Sequence, residues 1–219
     1  MKRNLGILVS IGLALATVAR AGVYGSNPTV NFGHLDTCSG CIFTYVDFPG
    51  TEAGQQVFSY SFYAGATGNK ITPILFESTG GSNFKIIGIG TTQTPSATGT
   101  NTFSFGLTTG TATIMDANTS FGWLDGSPGG GMNTGTITNN GVAGPGPGNY
   151  FSYFPSPTVT VGETVAFQTF TGLGQGQNTR TYSLDVTTTS FTSVPEPGFY
   201  CAFGAGLIGL LVVRRRKIA

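Results

Sequence analysis

Between residues 22 and 193 the chain alternates apolar and polar positions with a period of two. Phe58, Tyr60 and Phe62 are separated by Ser59 and Ser61. Phe103, Phe105 and Leu107 are separated by Ser104 and Gly106, and Tyr182, Leu184 and Val186 by Ser183 and Asp185. Such alternation places one face of a strand in a core and the other in water. Further short runs at 42–48, 71–77, 84–89, 134–138, 150–154 and 164–170 also read as strands. Between them lie turn formers: Gly80-Gly81, Gly129-Gly130-Gly131, Asn139-Asn140-Gly141 and Gly144-Pro145-Gly146-Pro147-Gly148. No long stretch carries the 3.6-residue period of an amphipathic helix. About ten short strands with such turns predict an all-β fold, an antiparallel β-sandwich or jelly-roll-like ectodomain spanning residues 22–193. Asp125 to Gly148 is the least regular stretch and is expected to be a long loop. The absence of a fixed-period repeat argues against a solenoid or propeller.

Composition narrows the class. Charged residues are only 9% of the 219, while hydrophobic residues are 39% and aromatics 12%. That balance is too apolar for disorder by self-repulsion. The 35 glycines have no period of three, which excludes collagen. Net charge is +1, but the sign misleads. Lys2, Arg3 and Arg20 lie at one end, and Arg214, Arg215, Arg216 and Lys217 at the other. Only Lys70, Lys85 and Arg180 fall between, against eight acidic residues. A nucleic-acid partner needs clustered cations to displace counterions from phosphates, so no nucleic acid is expected.

Both ends read as targeting signals. Residues 1–21 have the form of a signal peptide: charged Lys2-Arg3, an uncharged run from Leu5 to Val18, and Ala19-Arg20-Ala21 before Gly22. Ala19 and Ala21 supply the small residues that signal peptidase requires. The apolar run is short for a membrane span. At the C-terminus, residues 194–219 form the third segment. Val194-Pro195-Glu196-Pro197 precedes the uncharged run Gly198–Val213, which ends on Arg214-Arg215-Arg216-Lys217. As a helix that run reaches about 24 Å, a little short of a ~30 Å hydrocarbon core, so it predicts one marginal transmembrane helix. The four cations would stay cytoplasmic as a stop-transfer signal, which gives N-out, C-in topology and a transient inner-membrane anchor.

In this order and place, the tail resembles the PEP-CTERM sorting tail of exported Gram-negative bacterial proteins. The resemblance covers 194–219 only. It implies Pro195, Glu196 and Pro197 as the sorting tripeptide read by an exosortase-type membrane processing enzyme. It implies delivery to the cell envelope or extracellular matrix, with extracellular polysaccharide as the associated polymer. The prolines deny the chain helical hydrogen bonds just outside the bilayer and keep the segment extended.

The middle of the chain offers little catalytic chemistry. Cys38-Ser39-Gly40-Cys41 is followed by a strand-like run rather than the helix that lowers a redox thiol's pKa. His34, Cys38 and Cys41 make three zinc ligands where four are needed. A local disulfide between Cys38 and Cys41 is the preferred reading, ahead of free thiols and of metal or redox roles. His34 is the single histidine, and no G-x-S-x-G elbow accompanies it. Glu77, Asp116, Asp125 and Glu163 show no spacing that selects a glycosidase pair. Asp116, Asn118 and Asp125 lack EF-hand spacing. Trp123 beside Asp125 reads first as a core aromatic, with a sugar-stacking ring as the alternative. The expectation is therefore a non-enzymatic exported structural protein without catalytic residues, metal or cofactor. A secreted carbohydrate-binding module using Trp123 is the second reading.

Overall fold

The computed structural model describes residues 21–36, 40–128, 134–140, 150–153, 159–169 and 180–190. Within them the fold is all-β, and every strand pairing is antiparallel. The strands are β1 (Val23–Gly25), β2 (Cys41–Asp47), β3 (Gln55–Ala64), β4 (Ile71–Gly80), β5 (Asn83–Gly90) and β6 (Gly99–Ser104). They continue with β7 (Leu107–Gly110), β8 (Thr119–Asp125), β9 (Tyr150–Tyr153), β10 (Thr164–Ala166), β11 (Gln168–Thr169) and β12 (Leu184–Ser190). One sheet has the order β1-β12-β3-β6. The other runs β10-β5-β4-β8-β2-β9-β11, with β7 also on β5. Among the described residues no helix is long and apolar enough to cross a membrane; the span expected at 198–213 lies outside them.

The two sheets obey two sequence patterns for one reason, the number of faces they bury. In the four-stranded sheet, β3 and β12 alternate. Tyr60, Phe62, Leu184 and Val186 are buried, while Ser59, Ser61, Asp185 and Thr187 on the other face are only half-buried. In the larger sheet, β2, β4 and β8 are buried on both faces and carry continuous apolar runs instead. One core joins side chains of both sheets: Tyr60, Phe62 and Val186 with Phe43, Leu75, Phe121 and Trp123. The Tyr60 and Phe121 rings meet at 5.6 Å. A second core lies on the opposite face of the larger sheet, where Ile42, Ile74, Phe76, Ile86 and Leu124 pack with Val165 and Phe167. Full burial of one such side chain stabilises the fold by about 1.5–3 kcal/mol.

Several expected strands change their bounds. The run 103–107 is two strands, because Phe105 turns inward and Gly106 adopts a φ of 54° that a side chain resists. The run 164–170 is also divided: β10 pairs with β5, and β11 with β9. Strand β12 starts two residues later than expected and extends through the threonines to Ser190. Residues 134–138 give only isolated bridges, among them Ile137 to Ala64. The stretch 119–125, not among the expected strands, is β8, a central strand, and it buries Trp123 as a core aromatic. It packs so closely under β2 that a Cβ on Gly122 would overlap the Phe43 carbonyl.

Candidate functional site

The chain leaves the described domain from β12, an interior strand with β1 on one side and β3 on the other. Val23 and Gly25 of β1 lie opposite Thr187 and Asp185. The Thr188 N–H donates to the Gly22 carbonyl at 2.9 Å, and the Gly22 N–H donates to Thr188 Oγ1 at 3.2 Å. The Thr188 hydroxyl proton is shared between Gln55 Oε1 at 2.8 Å and Glu52 Oε2 at 3.1 Å. The expected first residue of the mature chain and the last strand before the tail are thus held side by side. Ala21 is exposed, next to them.

At the other end of β12 a buried polar cluster gathers residues from four distant segments. Arg180 forms an ion pair with Asp36, whose carboxylate is 4% exposed. Tyr182 donates its hydroxyl to the second Asp36 oxygen at 2.8 Å. The Tyr182 ring stands edge-on to Trp123 at 4.8 Å and to Tyr45 at 5.4 Å. The Tyr45 hydroxyl donates to the Tyr182 carbonyl at 3.1 Å. Asp125, at the end of β8, is 1% exposed. Burial raises its pKa from 3.8 to about 8; the Trp123 side chain and the Thr136 backbone pull it part of the way back down. Burial thus favours the protonated form of Asp125. Burial also raises the Tyr182 pKa, with Arg180 opposing. The cluster ties the segment before β12 to Asp36 and to the ends of β2 and β8.

The candidate residues read from sequence are dispersed. Trp123 is a core residue, 1% exposed and stacked on Phe43 at 4.9 Å and 21°. With Tyr182 against it as well, it presents no ring face to a sugar. Its neighbours Phe121 and Leu124 are both buried, in contrast to a loop setting. Cys41 is buried and disulfide-bonded; Cys38 lies outside the described residues, as does Ala19. His34 is exposed, and its backbone bridges to Asn139. Glu77 lies opposite Lys85 on β5. Glu163 accepts from Thr160, and Asp116 from Asn118. Among the described residues no group of three or more His, Cys, Asp or Glu side chains is placed to hold a metal ion. The Asp36–Arg180–Tyr182 link had no signal in the sequence, because its members are separated by most of the chain.

Pro195, Glu196, Pro197 and Arg214–Lys217 lie outside the described residues. The tail is nonetheless identified by comparison. Residues 193–217 match the family model of the PEP-CTERM protein-sorting motif, starting one residue before the expected boundary and ending two short of it. No curated protein and no solved structure matches the chain. The motif implies an exported protein processed at the membrane by an exosortase-type enzyme. The chain is a PEP-CTERM sorting-domain-containing protein.

Proposed function

We propose that this is a non-enzymatic structural protein of the cell envelope or extracellular matrix, associated with exopolysaccharide and delivered there by its C-terminal tail. The observation that carries the proposal is the sorting motif at 193–217, which begins three residues after β12 ends at Ser190. In this reading residues 1–21 are a signal peptide removed by signal peptidase. Cleavage after Ala21 takes nothing from the sheet, because β1 begins at Val23. Gly198–Val213 is a transient inner-membrane helix with N-out, C-in topology, and Arg214, Arg215, Arg216 and Lys217 stop its passage. The two antiparallel sheets with a shared core are the halves of a jelly-roll-like β-sandwich. Cys38 is the partner of Cys41, in keeping with an oxidising compartment.

A non-enzymatic role is supported by the separation of Glu77, Asp116, Asp125 and Glu163 over different parts of the described fold. The carbohydrate-binding alternative has no stacking ring at Trp123. Sorting is tested by replacing Pro195, Glu196 and Pro197 with alanine in the native host. The expected result is full-length protein retained in the inner membrane. Processing and location identical to wild type would refute the assignment.

A further inference from the structure

The three most exposed large hydrophobic side chains among the described residues cluster around the end of β12 from which the tail departs. They are Val23 at 64%, Phe58 at 59% and Met115 at 56%. Val23 lies opposite Thr187, three residues from Ser190. Phe58 is the extra residue where the β3–β12 register shifts. Val57 pairs with Thr188 and Ser59 with Thr187, and the bulge turns the Phe58 ring outward. Met115 follows Ile114, whose N–H donates to the Gln55 carbonyl at 2.9 Å, and Gln55 lies opposite Ser190. Around them the sheet face carries uncharged Ser59, Ser104 and Thr187, with Asp185 further along β12 opposite Gly25 and Ser61.

We infer that this apolar rim docks on the lipid surface while the tail is in the membrane. Chain length supports this docking, given the reading of the tail as a membrane anchor. The sorting motif starts three residues after Ser190, a reach of about 10 Å. The apolar run starts at Gly198, at most about 28 Å away when fully extended. A span inserted there limits the distance of Ser190 from the bilayer to about 28 Å, which gives the domain an effective concentration at the surface that a free domain never reaches. Val, Phe and Met then gain by leaving water for the interface. The contact is apolar rather than electrostatic. Lys70, Lys85 and Arg180 are on other elements, and Asp116 beside Met115 disfavours anionic headgroups. Docking would keep Pro195-Glu196-Pro197 within reach of a membrane-embedded enzyme.

The test uses the full chain reconstituted in phosphatidylcholine vesicles with brominated acyl chains. Phe58→Trp and Met115→Trp report on the rim. Leu35→Trp reports on the opposite end of β3, where Leu35 lies against Gly65. Buried Trp123 is common to all three. The expected result is lipid quenching of both rim tryptophans at least twofold stronger than at position 35, unchanged by salt. Equal quenching at the three sites in vesicles that float with bound protein overturns docking and leaves the tail reading intact. Rim quenching that disappears on dilution with lipid assigns the face to a second copy of the chain and also overturns the proposal. Failure of the protein to float overturns the tail reading itself and the docking with it.

Discussion

Tyr182 donates its phenolic hydroxyl to Asp36 across 2.8 Å, joining residues 146 positions apart. Arg180 occupies the other Asp36 oxygen, so the carboxylate is satisfied only while the segment before β12 is docked. Tyr182→Phe keeps the ring contacts with Trp123 and Tyr45 but removes the donor. Asp36 keeps Arg180 but loses a buried hydrogen bond, at a cost of about 1–3 kcal/mol. Urea unfolding is expected to show that loss as a lower midpoint with an unchanged slope.

Asp125 makes stability depend on pH. Its folded pKa is raised from 3.8 to about 8, so the folded state keeps a proton that the unfolded chain releases above about pH 4. The stability linked to that proton is whole below pH 4 and is lost as pH rises to about 8. Asp47 and Asp185 are shifted the same way by burial and add to the slope. Asp125→Asn preserves shape and removes the titration. Melting temperatures of the two proteins are expected to be similar near pH 4 and to diverge with rising pH. By pH 9 the variant is expected to be more stable by roughly 1–3 kcal/mol.

Gly122 tests how closely β2 and β8 approach. Gly122→Ala would push a methyl group into the Phe43 carbonyl, which is fixed by ladder pairing and cannot rotate away. Overpacking of this kind is expected to cost about 3 kcal/mol or more. Chemical denaturation measures it. A loss below 1 kcal/mol would mean that the strands separate more easily than their shared core suggests.

Much of this architecture was legible from residue order, and the parts that were not share physical causes. Alternating runs such as Phe58-Ser59-Tyr60-Ser61-Phe62 located β3 because that sheet keeps one wet face. Strand β8 carries no alternation because both of its faces are dry. Phe121-Gly122-Trp123-Leu124 therefore has no period-2 signature, and Asp125 made it look polar. Trp123 was open to a surface reading for the same reason; only the ring of Phe43 lying over it shows where it sits. Strand β1 is three residues long and has stability only through β12, so no local pattern marks it. The tail is the reverse case. Its tripeptide, span and cations are contiguous, so its identity needs no fold at all.

Thr188 links the two ends of the domain. Its buried hydroxyl contacts Gly22, Gln55 and Glu52, and valine at this position would keep the shape while stranding those groups. Thr188→Val is expected to destabilise by about 1–3 kcal/mol. Hydrogen exchange should accelerate first in β1 and β12, before the strands of the larger sheet. Uniform acceleration across both sheets would show that the β1–β12 pairing is not a separate cooperative step.

The central claim is export followed by tail-directed processing at the membrane, and the intact mass of the protein recovered from its native cell tests it most directly. The account predicts a polypeptide that begins at Gly22, ends at or near Pro195-Glu196-Pro197, and is found in the envelope or extracellular fraction. A full-length chain from Met1 to Ala219, recovered from the cytosol, would contradict it.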